Sequence, residues 1–197
     1  MEERQDRRAL RNRSALMAAA VRLVTEAGTT AVPVGVFTDA ATVSRQLVYL
    51  QFGDRDGLLV AAAADLVERE LLPALADPDQ PMRVRMLAMA RHFAGYREFY
   101  RAMLTGSCAF AMTRVLHELF GALITPDGLR GAFGDLDPAV IHDLRAFVTG
   151  GAGTIVSEWL AGDDPGPLDP DRLTARLVAL ADVVRIRGAA RSDPALR

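Results

Sequence analysis

Apolar residues near the start of the chain recur at the spacing of an α-helix. Between Leu16 and Ala27 they fall three, four, seven and eight residues apart, and Gly28 follows directly. This spacing places the apolar side chains on one helical face, and glycine commonly ends a helix. Similar patterns continue along the chain, and no pair of alternating β-branched segments indicates a hairpin. The sequence therefore predicts an all-α protein.

Two shorter helices are predicted after the first one. Pro33 suits the first position of a helix, and Ser44 suits the N-cap of a third helix that ends near Phe52. We expect five side chains to form a small core: Phe37, Val43, Val48, Tyr49 and Phe52. Three short helices with a tight turn before the third are typical of a helix-turn-helix unit, and Gly53-Asp54 ends it. The predicted N-terminal domain covers residues 1–54.

The predicted third helix presents polar side chains to the outside. These side chains are Ser44, Arg45, Gln46 and Gln51. Backbone amides at a helix N-terminus attract phosphate, and Arg and Gln carry the donors that base edges accept. The pattern predicts that this helix enters the major groove of double-stranded DNA. Small three-helix units are common, so the prediction needs support from further residues.

Motifs within residues 18–59 resemble those of the Tet repressor (TetR) family. In chain order they are Ala18-Ala19-Ala20, Glu26-Ala27-Gly28, Val34, residues 43–52 (VSRQLVYLQF) and residues 54–59 (DRDGLL), spaced without a gap. The resemblance implies a transcriptional regulator that binds a palindromic DNA operator as a homodimer. It further implies a repressor that is released by a small apolar or amphipathic effector. A helical ligand-binding and dimerisation domain is implied for residues 55–190, with a disordered tail at 191–197.

The resemblance also implies contacts with DNA at six positions. Bases are contacted in the family at the positions of Arg45, Gln46 and Leu47, and phosphates at those of Ser44, Tyr49 and Arg55. The residues themselves leave alternatives open. Tyr49 also suits the helical core, and Arg55 also suits a solvated helix start.

The predicted DNA-reading surface departs from the family pattern in polarity. Glycine or an apolar residue stands at four positions where the family usually has polar ones: Gly35, Val36, Leu47 and Leu50. Thr42 replaces a glycine, and Pro33 replaces a capping threonine. Leu47 has the shape to contact a thymine methyl group. The alternative function is a TetR-like co-regulator that acts through protein partners, with weak or no specific DNA binding.

Proline and glycine divide the rest of the chain into further predicted helices. We expect helices at about 55–75, 82–104, from a break at 105–107 to about 124, then 138–161 and 170–187. A short irregular helix is expected between Pro126 and Pro138. The chain from Gly188 onward is predicted to be disordered.

Methionine and aromatic residues are concentrated between residues 82 and 112. Such side chains suit a pocket for an apolar or amphipathic small molecule between helices. Seven residues in and next to this window are the candidates for effector contact: His92, Tyr96, Tyr100, Met103, Cys108, Met112 and His117. An ordinary helical core or surface position is the alternative for each of them.

Three glycines lie in the predicted helix that ends at Ala161, at positions Gly150, Gly151 and Gly153. In the TetR family the last two long helices form the dimer interface, and the segments at 147–151 and 158–162 resemble its C-terminal pattern. Glycines in such a helix allow a partner helix to approach closely. Close packing within one subunit is the alternative.

No motif predicts an enzyme, a cofactor or a metal site. The three histidines are far apart, and neither an H-E-x-x-H nor a C-x-x-C motif is present. No apolar segment reaches the roughly 18 residues of a membrane span, and the N-terminus is too polar for a signal peptide. The one cysteine, Cys108, cannot form an intrachain disulfide. We therefore expect a cytoplasmic protein that does not bind membranes.

Overall fold

Every regular element is a helix in the residues that the structure describes. This computed structural model describes the backbone of residues 2–77, 79–162 and 166–191. Within these ranges the α-helices are α1 Glu2–Ala27, α2 Val34–Ala41, α3 Arg45–Phe52, α4 Arg55–Leu66, α5 Met82–Gly95, α6 Arg97–Thr105, α7 Ala109–Leu123, α8 Pro126–Phe133, α9 Pro138–Ala161 and α10 Pro170–Arg191. The predicted all-α class is confirmed.

The chain forms two compact units. The first unit consists of Met1–Pro78 and Gly95–Met112, and the second of Asp79–Ala94 and Thr113–Arg197. Helices α1–α4 and α6 therefore belong to the first unit. Helix α5 up to residue 94, α7 from residue 113, and α8–α10 belong to the second.

Helix α1 supplies much of the buried centre of the helix-turn-helix. Its Leu16, Ala20 and Val24 side chains are completely buried, because their spacing places them on one face of the helix. Phe37 of α2 and Val48 of α3 are also completely buried. Burial of each large apolar side chain contributes roughly 1.5–3 kcal/mol, so this small core holds the three helices together.

The turn between α2 and α3 passes through a left-handed backbone conformation. Thr42 has φ 55° and ψ 46°, and it is the one non-glycine residue with positive φ in the described part of the chain. Its amide donates to the Asp39 carbonyl at 3.2 Å, and the Val43 amide donates to the Thr38 carbonyl at 3.0 Å. A side chain in this conformation costs roughly 1–2 kcal/mol. The tight turn is thus present, although threonine stands where glycine fits best.

Helix α4 ends earlier than the sequence predicts. The predicted helix runs to about Leu75, but α-helical geometry stops at Leu66 and is followed by a π-helical segment, Val67–Leu71, and a 3₁₀ segment, Leu72–Leu75. Pro73 explains the change, since proline has no N–H and its ring collides with the carbonyl four residues before it. The Leu72 amide donates instead to the Val67 carbonyl.

The helix predicted over residues 82–104 is interrupted. Helix α5 ends at Gly95, Tyr96 adopts φ −114° and ψ 28°, and α6 begins at Arg97. Glycine is a weak helix former, and Gly95 is the signal that the sequence prediction missed. The predicted break at 105–107 is confirmed, because α6 ends at Thr105 and α7 starts at Ala109.

Side-chain caps begin the helices of the C-terminal half. Asp137 Oδ1 accepts from the Ala139 amide at 2.8 Å, and Thr125 Oγ1 accepts from the Gly128 amide at 3.1 Å. Asp169 Oδ1 accepts from the Arg172 amide at 2.9 Å. Each oxygen satisfies an amide that has no partner within its helix. These caps explain why the predicted starts of the last helices agree with the structure.

The last two helices are the longest of the second unit, with 24 residues in α9 and 22 in α10. Helix α10 continues to Arg191, so residues 188–191 are helical where the sequence predicts disorder. The rest of the predicted tail, 192–197, lies outside the described residues. No helix in the described part of the chain is long and apolar enough to cross a membrane.

Candidate nucleic-acid interface and effector site

The start of α3 is exposed and polar. Ser44 is the N-cap, and its side chain makes no capping hydrogen bond. Ser44, Arg45 and Gln46 are all exposed, whereas Val48, about one turn further along α3, is completely buried. The first turn of α3 therefore presents one hydroxyl, one guanidinium and one amide side chain to solvent.

Arg45 extends toward α2. A Cβ added at Gly35 would lie 2.5 Å from Nη2 and 3.1 Å from Cζ of Arg45, so the guanidinium occupies the space beside the glycine. Among the residues that the structure describes, none makes a hydrogen bond or an ion pair with Arg45. Its donors are free, but its position is restricted by packing.

Three apolar or aromatic side chains of α2 and α3 are also exposed. Leu50 is 81% exposed, Tyr49 57% and Val36 42%. Leu47 is half-buried, and less of its side chain is therefore available to a ligand. Tyr49 belongs to the surface, which is the environment that a phosphate contact requires and not the one expected of a core residue.

Arg55 is bound within the first unit. Its Nε lies 2.8 Å from Asp56 Oδ1, and its Nη2 donates to Ser107 Oγ at 3.1 Å. The Ser107 amide also donates to Thr30 Oγ1 at 3.3 Å. We refer to Thr30, Arg55, Asp56 and Ser107 as the Arg55 cluster; it joins the α1–α2 loop, the start of α4 and the α6–α7 loop.

Electrostatic interactions within this cluster favour the charged form of Asp56. Burial opposes ionisation of Asp56, but hydrogen bonds from Arg55 and Ser107 and the Arg55 charge outweigh it and lower the pKa of Asp56. Packing is also tight here, since a Cβ at Gly106 would collide with Thr30 Oγ1 and the Ala102 carbonyl. The α6–α7 loop can approach Thr30 in the α1–α2 loop closely because residue 106 is a glycine.

The seven candidate effector residues occupy different environments. Four of them are at most 1% exposed, within the first unit: Tyr100, Met103, Cys108 and Met112. The half-buried Tyr96 is also in the first unit, and its hydroxyl donates to Glu70 at 2.8 and 2.9 Å. His92 and His117 belong to the second unit, the former half-buried with its ring 5.4 Å from that of Phe93 and the latter exposed.

The buried polar candidates are held in their neutral forms. Burial, with smaller contributions from Glu70 and Tyr96, raises the pKa of the Tyr100 hydroxyl. Burial and the Asp56 charge raise the pKa of the Cys108 thiol. A thiol with a raised pKa is a poor nucleophile, so Cys108 has the environment of a packed core residue.

A small open cleft lies between α7 and α9 in the second unit. Its volume is about 180 Å³, and its lining residues are Thr113, Leu116, His117, Gly153, Thr154, Ser157 and Glu158. His117 is the one candidate effector residue in this cleft. The α9 residues were missed in the sequence, where Thr154, Ser157 and Glu158 look like an ordinary solvated helix face at helical spacing.

The three glycines of α9 have different surroundings. A Cβ at Gly153 would lie 3.3 Å from His117 Cδ2, and one at Gly150 would lie 4.0 Å from His117 Nε2, whereas Gly151 is open. Gly153 thus serves close packing against α7 within the subunit. Exposed apolar side chains lie on both long helices: Val140 and Phe147 on α9, and Leu180 and Val183 on α10.

Solved structures share this arrangement of helices along most of their length. The dihydroxyacetone kinase operon activator DhaS aligns with a TM-score of 0.62 at 14% identity, over 87% of this chain and 94% of that one. A protein from Rhodococcus sp. described as a TetR-family transcriptional regulator aligns with a TM-score of 0.58 at 18% identity, over 89% of this chain and 98% of that one. The chain has the TetR-family fold. A transcriptional regulator from Rhodococcus sp. RHA1 also aligns, with a TM-score of 0.54 at 22% identity, over 87% of this chain and 96% of that one.

No family model and no curated protein matches this TetR-fold chain in sequence. Identities of 14–22% with the solved structures are low enough that only the arrangement of helices is shared with certainty. Function in this TetR-fold protein must therefore be argued from its own residues.

Proposed function

We propose that this protein is a DNA-binding transcriptional regulator, a ligand-responsive repressor that binds a palindromic operator as a homodimer. The observation that supports it most directly is the exposed, polar first turn of α3 on a helix-turn-helix. Recognition helices place such residues against base edges in the major groove. No enzymatic activity is proposed.

The proposed DNA contacts lie at the N-cap of α3 and along its first two turns, apart from Arg55 at the start of α4. From the family resemblance, Arg45, Gln46 and Leu47 are assigned to bases, and Ser44 and Tyr49 to phosphates. Ser44 has a hydroxyl that is not used in capping, and Tyr49 is 57% exposed. Arg55, the remaining predicted phosphate contact, donates from Nε to Asp56 and from Nη2 to Ser107, so a phosphate contact is proposed for its other guanidinium donors.

Binding to DNA at several salt concentrations tests this proposal. The purified protein is titrated against a duplex selected from a random-sequence library and against a scrambled duplex of the same length. We expect tighter binding to the selected duplex, and a steep loss of affinity for both as salt rises, because each neutralised phosphate releases counterions. Equal affinity for the two duplexes with little salt dependence contradicts operator binding.

The proposed dimer forms through α9 and α10. Their exposed apolar residues, including Phe147 at 74% exposure, are costly to leave in water, and a palindromic site needs two reading helices about 34 Å apart. Phe147→Glu is expected to convert the dimer to a monomer in sedimentation equilibrium. Phe110→Glu is the matched control, because Phe110 is 82% exposed and belongs to the first unit, whereas α9 and α10 belong to the second. A dimer that survives Phe147→Glu rules out this interface.

The effector is proposed to bind among the helices that follow α4. The cleft beside His117 combines the apolar Leu116 with hydroxyl groups, which suits an amphipathic molecule. The Arg55 cluster supports coupling to DNA, since it bonds the start of α4 to the α6–α7 loop. Operator affinity is measured with and without each member of a panel of amphipathic compounds that raise the melting temperature. Unchanged affinity with every stabilising compound contradicts ligand-responsive repression.

A second function is favoured by the apolar surface. Val36 on α2 and Tyr49 and Leu50 on α3 are exposed, and exposed apolar side chains suit a co-regulator that binds a protein partner. This function predicts weak DNA binding that varies little with salt. The salt series above therefore separates the two functions.

A further inference from the structure

The guanidinium of Arg45 lies beside Gly35 of α2, in the space that a larger side chain at position 35 would occupy. Gly35 is the second residue of α2, and the three atoms nearest to a Cβ at this position all belong to Arg45: Nη2 at 2.5 Å, Cζ at 3.1 Å and Nε at 3.2 Å. Any larger residue at position 35 has to displace the guanidinium. The glycine therefore makes the space that Arg45 fills.

The backbone beneath this contact is held in place. Thr38 Oγ1 donates to the Gly35 carbonyl at 2.9 Å, and both residues are buried. Within the described residues no acceptor takes the Arg45 donors, in contrast to Arg55, which is bound to Asp56 and Ser107. Arg45 is thus positioned by packing while its hydrogen-bonding groups remain available.

We propose that Arg45 contacts a DNA phosphate, and that Gly35 positions it for that contact. In helix-turn-helix proteins the helix before the recognition helix crosses the DNA backbone. A guanidinium that lies on α2 is directed to this backbone side of the interface. Base selection then belongs to Gln46, the next residue of α3, which is exposed, and to the half-buried Leu47. The inference rests on the proposed DNA binding and changes the role of Arg45 within it.

The two roles of an arginine on DNA have different physical signatures. A phosphate contact is independent of base identity and releases counterions, with a slope of about 0.9 in log affinity against log salt per phosphate. A base contact is specific for one base pair, and its loss relaxes selectivity at that position. Salt dependence and base selectivity therefore separate the roles.

The experiment uses the selected and scrambled duplexes with the full-length dimer. Arg45→Ala is expected to weaken binding to both duplexes by the same factor, roughly tenfold, and to lower the salt slope by about 0.9 per subunit. Gln46→Ala is expected to weaken binding to the selected duplex alone. A random-library selection repeated with Arg45→Ala is expected to return the wild-type base preferences.

Gly35→Ala tests the positioning role. It is expected to lower affinity for both duplexes in the same direction as Arg45→Ala, and to add no further loss in the double variant. Gly131→Ala in α8 is the matched control, since no atom lies within 4 Å of a Cβ there. In each variant alanine favours the helix over glycine by roughly 0.5–1 kcal/mol. Both variants are therefore expected to be folded and to show a cooperative thermal unfolding transition.

Three results overturn the inference. The first is a change of base preference in Arg45→Ala, which makes Arg45 a base contact. The second is wild-type affinity and slope in Arg45→Ala, which leaves it without a role. The third is an additive loss in the double variant, which separates Gly35 from Arg45. Wild-type protein that neither prefers any duplex nor responds to salt instead overturns the proposed function itself.

Discussion

The surface of α3 and the packed centre of the first unit both carry residues that the sequence assigns to ligand contact, but in opposite environments. Ser44 and Gln46 are exposed, and a DNA duplex can reach them without any change in the protein. Met103 and Met112 are completely buried, and an effector can reach them only if their packing changes. The first group is therefore available for binding, whereas the second also maintains the fold.

The largest expected difference between the two regions is in the free energy of unfolding after truncation of one side chain in each. Met103→Ala is expected to lower the free energy of unfolding by about 2–5 kcal/mol, because it leaves a cavity in a packed core. Leu50→Ala, at an 81% exposed position, is expected to change it by less than about 0.5 kcal/mol. Urea denaturation measures both.

A small effect of Met103→Ala on the free energy of unfolding would contradict the view that the centre of the first unit is tightly packed. A loss below about 1 kcal/mol means that the surrounding chain is already loosely packed, as in a preformed effector pocket. Met112→Ala serves as the second core variant, since Met112 is equally buried. Agreement between the two variants assigns the result to the region and not to one side chain.

The second prediction concerns the rigidity of the reading surface. Thr42→Gly is expected to stabilise the protein by about 1 kcal/mol, because glycine adopts positive φ without the steric cost that threonine has. Thr25→Gly, on the exposed side of α1, is the control and is expected to destabilise by a few tenths of a kcal/mol. Thermal unfolding measures whether each variant is more or less stable than the wild-type protein. Destabilisation by Thr42→Gly would contradict the strained turn.

The sequence predicts the helix-turn-helix better than the candidate effector region for a physical reason. Helix starts, the tight turn and the apolar stripe of α1 depend on local residue types, and Leu16, Ala20 and Val24 are buried as their spacing indicates. The contact of Arg45 with Gly35 depends on how two helices pack, so no local pattern reveals it.

The candidate effector region is harder to predict, because residue composition does not distinguish a ligand pocket from a packed core. Methionine and aromatic side chains fill both kinds of site, and the break at Tyr96 between α5 and α6 was hidden within a helical pattern. The cleft residues Thr154 and Ser157 join His117 only through the packing of α9 on α7. Their assignment to effector binding remains a prediction.

The smallest expected effect comes from the Arg55 cluster, where polar groups are shared between the start of α4 and the α6–α7 loop. The pKa of Asp56 is lower in the folded chain than its ordinary value of 3.8. Its ionised form therefore stabilises the fold above that ordinary value, and this contribution is lost as the pH falls through the lowered pKa. Ser107→Ala removes one of the hydrogen bonds that lower the pKa.

Ser107→Ala is consequently expected to reduce stability slightly at pH 7 and to have a smaller effect near pH 2, because protonation of Asp56 at falling pH removes the charge that the hydroxyl stabilises. Urea denaturation at the two pH values measures the difference. Ser157→Ala on α9 is the control, because Ser157 is not among the groups that lower the pKa of Asp56 and its effect should not follow that titration. If Ser107→Ala costs the same at both pH values, the hydroxyl acts through Thr30 and Arg55, and the cluster does not connect the Asp56 charge with the α6–α7 loop.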